Sequence, residues 1–440
     1  MTGNIKRYLE NIAPGLPPEI ISPAAYRKIY KLTDLFSDFA ASEYILESCL
    51  NTEAAEVDFS FRVLQAEKPE LTRGFKSPNF SPLSGDGTWL KVSELVRDWS
   101  QGIGDVWFEM DYGELAKEVP QPCVFFNAEQ IKKGMEVDYD LLLRTLRHLV
   151  EHDQLELLKA NLQAVIGCLP SQAGLFQVGV MLARHTDRIR IFTADLTRKQ
   201  IEEYLAGLRW EGSFSGLTGL FQLAEPYSDR RYILDFDVTG AGISEKIGIN
   251  FGLADQDKLP AFLESLVQGG LCRPVKKRGV LNWSGSKGSF LGADLGFTAL
   301  IKDISHFKMV YAPAEGVKVK AYLRLAGIYL KKLFKGQTPL EESRSGQKQT
   351  VKEYPEYKEM QKVFKKIAQK SMLEDDYRQL CLKDSKAAIR QINNENLAIP
   401  ENIIFLEEDP ENIDKDSVVY ILPPFLKQTW LLNNDKGVEK

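Results

Sequence analysis

HFKMVYAPAEGVKVKAYL, His306 to Leu323, is the stretch on which the fold turns. His306 and Lys308 alternate with Phe307 and Met309, and beyond the tetrapeptide PAEG, residues 313–316, Lys318, Lys320 and Tyr322 alternate with Val319, Ala321 and Leu323. A period of two belongs to a β-strand, whose side chains point to opposite faces in turn, and a short turn-rich segment between two such runs predicts a hairpin. One face of that hairpin is charged and the other apolar.

The same doublet recurs upstream. DVWFEMDYG from Asp105 goes with CVFFN from Cys123, LFQVGVMLAR from Leu175 with RIRIFT from Arg188, and RYILDFDV from Arg231 with KIGINFG from Lys246 through TGAGIS. A further alternating run, EVDFSFRVL, spans Glu56 to Leu64. Between the doublets, YDLLLRTLRHLVEH, RKQIEEYLAGL and KLPAFLESLVQGGL carry apolar residues at helical spacing. The order is strand, strand, helix, helix, repeated about four or five times. Val106, Phe108, Met110, Phe176, Val178, Val180, Ile189, Ile191, Ile247, Ile249 and Phe251 share one side, which helices would cover. The other side carries Asp105, Trp107, Glu109, Asp111, Arg188, Arg190, Arg231, Asp235, Asp237, Lys246, Asn250, His306, Lys308, Lys318, Lys320, Tyr322 and Arg324. An open antiparallel sheet would turn that face to water. Closure of roughly ten strands would instead remove the sheet edges and enclose a polar lumen. The expected class is α+β, an antiparallel sheet closed as a roughly ten-stranded barrel with outer helices, followed by a small α/β module.

The 440 residues leave room for two or three domains at roughly 150 residues each. Lys and Arg number 56 against 61 Asp and Glu, a net charge of −5, so nucleic acid is not the expected partner. No run of about 18 apolar residues and no secretory h-region occurs, so the expectation is a cytoplasmic protein without a membrane span. Five scattered cysteines, with no CxxC pair, predict reduced thiols and no structural metal. Residues 1–36 read as a helical segment, with Ser22 as cap and Pro23 in the first turn; 37–334 as the barrel-like domain; 335–352, KGQTPLEESRSGQKQTVK, as a polar linker; 353–424 as the module; and 425–440 as a tail.

Within the module, DDYRQLCLKDSKAAI from Asp375, LAIPENIIFLEED from Leu397 and SVVYILPP from Ser417 resemble the nitrile-hydratase-like leader peptide of proteusin-type precursors. The resemblance covers about the last quarter of the chain. It implies a segment held by modifying enzymes of ribosomal peptide natural-product (RiPP) pathways through its helix and strand. Cys381 stands alone, so nitrile hydration is not expected, and no Gly-Gly or Gly-Ala cleavage point follows Pro424.

The larger domain, roughly Ser37 to Leu333, resembles the barrel of aromatic and cyanobactin peptide prenyltransferases, and KAYL, Lys320 to Leu323, is similar to their Lys-x-Tyr strands around diphosphate. An allylic diphosphate, with a peptide or aromatic acceptor, is the substrate pair this implies. Ionising it leaves an anion that needs fixed cations in a low-dielectric cavity. Arg188, Arg190, Lys308, Lys318, Lys320 and Arg324 form the expected collar, and Trp107 and Tyr322 could shield the carbocation. The acceptor proton would go to Glu56, Asp58, Glu109, Asp235 or Asp237, between which the sequence does not choose; Glu109, Asp235, Asp237 and Tyr322 are the catalytic candidates carried forward, with His306 as a further site residue. The cofactor is left open, magnesium being compatible with a prenyl diphosphate, and no protein metal site is assigned. Solvated or neutralised in pairs, the same charges would do no chemistry.

His148 and His152 in HLVEH fit a zinc-protease spacing, yet they lie on the polar side of their expected helix among Arg144, Arg147 and Glu151, and zinc catalysis is not expected. GSKGSFLG from Gly285 lacks phosphate-loop order and reads as a loop; Lys276, Lys277 and Arg278 read as a solvated basic run. Two functions follow: a tailoring enzyme tethered to a recruiting module, or a non-catalytic carrier whose module recruits a modifying enzyme to the tail with Lys427, Thr429 and Trp430.

Overall fold

Ten antiparallel strands close on themselves. The computed structural model describes residues 5–36, 41, 43–83, 85–184, 187–290, 297–329, 355–392, 403–407 and 418–422. In chain order the barrel strands are β1 (Glu43–Cys49), β2 (Asp58–Leu64), β3 (Asp105–Met110), β4 (Cys123–Asn127), β5 (Gly174–Val180), β6 (Ile189–Ala194), β7 (Ile233–Thr239), β8 (Gly242–Phe251), β9 (Phe297–Ala312) and β10 (Gly316–Tyr329). Each pairs with the next, β10 pairs with β1 and β8 pairs with β9 from Ile247↔Tyr311 to Phe251↔Phe307, so the ring has no free edge.

Phe59, Phe61, Val106, Phe108, Phe236 and Ile249 are buried on the outer face, as the alternation predicts. Helices α1 (Ile5–Ile12), α2 (Pro23–Leu35), α3 (Lys68–Gly74), α4 (Gly87–Arg97), α5 (Tyr139–Leu146), α6 (His152–Gly167), α7 (Arg198–Gly207), α8 (Phe214–Ala224), α9 (Leu259–Gln268) and α10 (Pro274–Leu281) occupy the segments before and between the doublets. Their starts are written locally. Ser22 accepts from the Ala25 N–H, Asp86 from Thr88 and Trp89, Asp138 from Leu141, and Thr197 forms a capping box with Gln200. Because each doublet is a hairpin, the β1–β2, β3–β4, β5–β6, β7–β8 and β9–β10 connections share one end of the barrel, the hairpin end. The longer connections, with their helices, leave from the other.

Several details differ from the sequence expectation. β1 has no counterpart among the expected strands, because EYILESC is too short and too mixed to announce a strand without its neighbours. β2 starts at Asp58, leaving Glu56 exposed before it. A bulge between Leu175 and Gln177 slips the alternation, so Leu175 is buried where the pattern points to Phe176. The expected helix through HLVEH breaks: α5 ends at Leu146 and α6 begins at His152, so His148 and His152 do not share a helix. Gly285–Phe290 is not a loop; it is a strand paired with β9, the backbone ladder overriding its glycine content. Lys276 is fully buried rather than solvated, its amine donating to the Ser48 hydroxyl at 3.2 Å, while Lys277 pairs with Glu264 at 2.5 Å. Arg231 lies off the lumen and donates to the Asp195 carbonyl.

The chain divides into a unit of residues 1–285 and 302–326 and a second of 286–301 and 327–440, so the N-terminal helices belong with the barrel. In the second, α11 (Pro355–Leu373), α12 (Asp375–Lys383) and α13 (Ser385–Ile392) accompany the parallel strands β11 (Ile403–Leu406) and β12 (Val418–Ile421). Ile367, Tyr377, Cys381, Ile389, Phe405 and Leu422 form its core. The linker 335–352 and the tail 425–440 lie outside the described residues. All five cysteines are free, and no helix among the described residues is long and apolar enough to cross a membrane.

Candidate active site

Cross-strand register places the lumen side chains. Glu47 on β1 stands opposite Tyr322 on one side and Asp58 on the other; Ser60 faces Glu109, which faces Cys123. Farther round, Arg190 faces Asp237, Asp235 faces Gly248, and Asn250 faces Lys308. All project inward because the alternating residues are spent on the outer core.

At the hairpin end the cations come with counter-ions. Arg190 grips Asp237 with two hydrogen bonds of 2.7 and 3.0 Å, and Arg188 approaches the same carboxylate at 3.8 Å. Lys308 donates to Asp235 at 2.8 Å, and the Asn250 amide holds the other oxygen at 2.7 Å. The pair lies over bare backbone at Gly248, where a Cβ would come within 2.2 Å of Asp235 and 2.5 Å of Lys308. Lys320 hydrogen-bonds to Glu47, which also receives the Tyr322 hydroxyl. Lys318 pairs with Glu315 at the hairpin tip, 2.6 Å away. Lys246 makes no ion pair among the described residues; burial lowers its amine, with Arg190, Lys318 and Lys320 acting the same way against the pull of Glu315. Five of the six expected collar residues thus gather here with Lys246.

Arg324 stands apart, toward the helix end. There Asp105, Arg62, Glu43, Arg324 and Asp303 form a chain of alternating sign, with contacts of 2.9, 3.3, 3.7 and 2.5 Å in that order.

The carboxyls differ sharply in state. Burial raises Glu47, but the Lys320 charge and the bonds from Lys320 and Tyr322 outweigh it and hold the group at about 2. Burial, then the charges of Glu47 and Glu109, push Asp58 up to about 8; it accepts a hydrogen bond from the Tyr112 N–H at 2.7 Å. Glu109 is pushed up to about 7 by burial, with Glu47 and Asp111 raising it further and Arg184 opposing. Arg184, on the 3-10 turn Leu182–Arg184 after β5, reaches Asp111 at 2.8 and 2.5 Å and Glu109 at 3.1 Å. Glu109, Asp111 and Cys123 bring three potential metal donors within 4.8 Å of one another, and Arg184 already supplies the positive charge there. His306 is brought down to about 4 by burial and then by Lys308; its ring stacks on Tyr322 at 4.1 Å and 16°. Trp107 packs beside Cys123, Phe125 and Met181, an apolar wall continued by Phe192. Neither Glu47 nor Arg184 is among the residues the sequence pattern singles out.

No protein-family description matches this sequence, and no curated protein matches it. Among solved structures, AnaPT from Neosartorya fischeri is similar with a TM-score of 0.43 at 11% identity, over 72% of this chain and 90% of that one. NotF prenyltransferase is similar with a TM-score of 0.40 at 13% identity, over 73% and 95%. NotF in complex with brevianamide F and DMSPP gives 0.44 at 12% identity, over 73% and 94%.

Proposed function

We propose that the barrel is a prenyltransferase-like enzyme that ionises an allylic diphosphate at its hairpin end and passes the prenyl group to a peptide or aromatic acceptor. What carries this is the joining, in one lumen, of five cations on four strands, with Arg188 just ahead of β6, to two half-buried carboxyls whose proton affinity is raised toward neutrality. The allylic C–O bond breaks with its electron pair leaving on the diphosphate, received by Arg188, Arg190, Lys246, Lys308, Lys318 and Lys320. Fixed by Asp237, Asp235 and Glu47, the inner cations are already in place, so stabilising the anion demands little reorganisation. Trp107 and Tyr322 offer π faces to the allylic cation. The acceptor's electron pair forms the new bond and its proton passes to Glu109. Asp235 and Asp237 act as counter-ions, being committed to Lys308 with Asn250 and to Arg190.

The module would recruit a peptide partner or a RiPP modifying enzyme, on the strength of its leader-like sequence. The full pairing of the inner cations also supports the carrier reading, in which the lumen is internally neutral and the tail is the modified segment. Calorimetry of the full chain with dimethylallyl diphosphate separates them. Binding weakened about tenfold or more by Arg190→Ala and by Lys320→Ala is expected, each change removing charge-assisted bonds of about 1.5–3 kcal/mol. No binding, or binding indifferent to both, would refute the enzyme; added mass on residues 425–440 after exposure to a modifying enzyme would establish the carrier.

A further inference from the structure

Two half-buried carboxyls, Asp58 and Glu109, are both raised in proton affinity, and the lumen treats them differently. Glu109 is faced by Glu47 from β1, Asp58 from β2, Asp111 from the end of its own strand, Cys123 from β4, Arg184 from the β5–β6 connection, and Lys320 and Tyr322 from β10. Only one of these cations touches it. Arg184 spends a two-pronged grip on Asp111, donates to Glu109 from the shared Nη2, and rests Nη1 against the Met181 sulfur at 3.4 Å. That fork is fixed at four points, so the Glu109 oxygen it meets is fixed too. Asp58 receives its bond from a neutral backbone N–H and has no ion pair within 4 Å among the described residues.

We propose that Arg184 is a positioning residue that assigns the proton-accepting role to Glu109 rather than to its half-buried neighbour Asp58. The inference rests on the reading of Glu109 as base and adds to it the group that selects it. A guanidinium in contact favours the ionised form of its own carboxylate and leaves the uncontacted neighbour protonated. The directions of the two groups agree: both are raised, and Asp58 the more. Asp111 is the anchor that stops the guanidinium from turning away.

The test is a carboxyl titration of the full chain by difference infrared spectroscopy, each band assigned by its loss in Glu109→Gln or Asp58→Asn. In the parent protein Glu109 should ionise at lower pH than Asp58. Arg184→Gln should raise the Glu109 midpoint by about one pH unit or more, a tenfold gain in proton affinity, and erase or invert that order. Arg184→Lys, keeping charge without the fork, should fall between. A Glu109 midpoint unmoved in a folded Arg184→Gln protein overturns the proposal; should that variant not fold, an unmoved midpoint in Arg184→Lys does so. The titration needs no turnover, so absence of prenyl transfer would sink the enzyme reading and leave this result standing. Where turnover is measured, the acid limb of kcat/KM should move alkaline in Arg184→Gln by the same interval.

Discussion

Asp58 and Glu109 tie the lumen to solution pH. Both carboxyls are pushed above the values of an unfolded chain, near 4, so the folded state keeps protons that the unfolded state has lost. Their contribution to stability is complete below about pH 4 and is lost as pH rises through 7 and 8; Glu47, held at about 2, contributes at neutral pH and loses its part as pH falls toward 2. Unfolding free energy should therefore decline between about pH 4 and pH 8, by up to about 1.4 kcal/mol per pH unit for each proton retained. Denaturant titrations at stepped pH should show a flatter decline in Asp58→Asn; a slope identical to the parent's would exclude Asp58 as a source. Strand parity by itself assigns Glu109, Asp235, Lys308 and Lys320 to one face. It does not reveal which carboxyls are already spoken for, because pairing such as Asp235 with Lys308 is set by residues 73 positions apart. Arg184 carries no periodic signal at all, sitting on a single turn past a strand end.

Among the elements, β8 shows how tightly the lumen is specified. Its alternation would admit any small residue at 248, but the Asp235–Lys308 pair crosses that backbone at less than a methyl's clearance. Gly248→Ala should cost about 2–4 kcal/mol, combining overpacking with damage to a buried ion pair. Chemical denaturation measures it, and a loss below about 0.5 kcal/mol would mean the pair shifts aside freely. The start of α2 is legible from Ser22 because capping is local chemistry. The bulge at Leu175 and the pairing of Gly285–Phe290 are not, since each is set against a neighbouring strand that a linear pattern does not contain, and the break before His152 leaves no mark in the apolar spacing.

At the level of the whole molecule, alternation leaves open sheet and closed barrel both standing, and only the β8–β9 register decides between them. The module has an apolar core of its own, in which Phe405 is fully buried and meets Phe364 at 6.0 Å. Phe405→Ala should destabilise it by about 3–5 kcal/mol, seen as lost hydrogen-exchange protection in α12 and α13. Unchanged protection there would show that Phe405 is not its keystone. At the barrel's helix end, Asp105, Arg62, Glu43, Arg324 and Asp303 alternate in sign along one chain of contacts. Deleting Arg62 or Arg324 takes the cation from the carboxylate at its end of the string, Asp105 or Asp303, whereas deleting the central Glu43 leaves two complete pairs, so redesign of that floor has to keep its arginines.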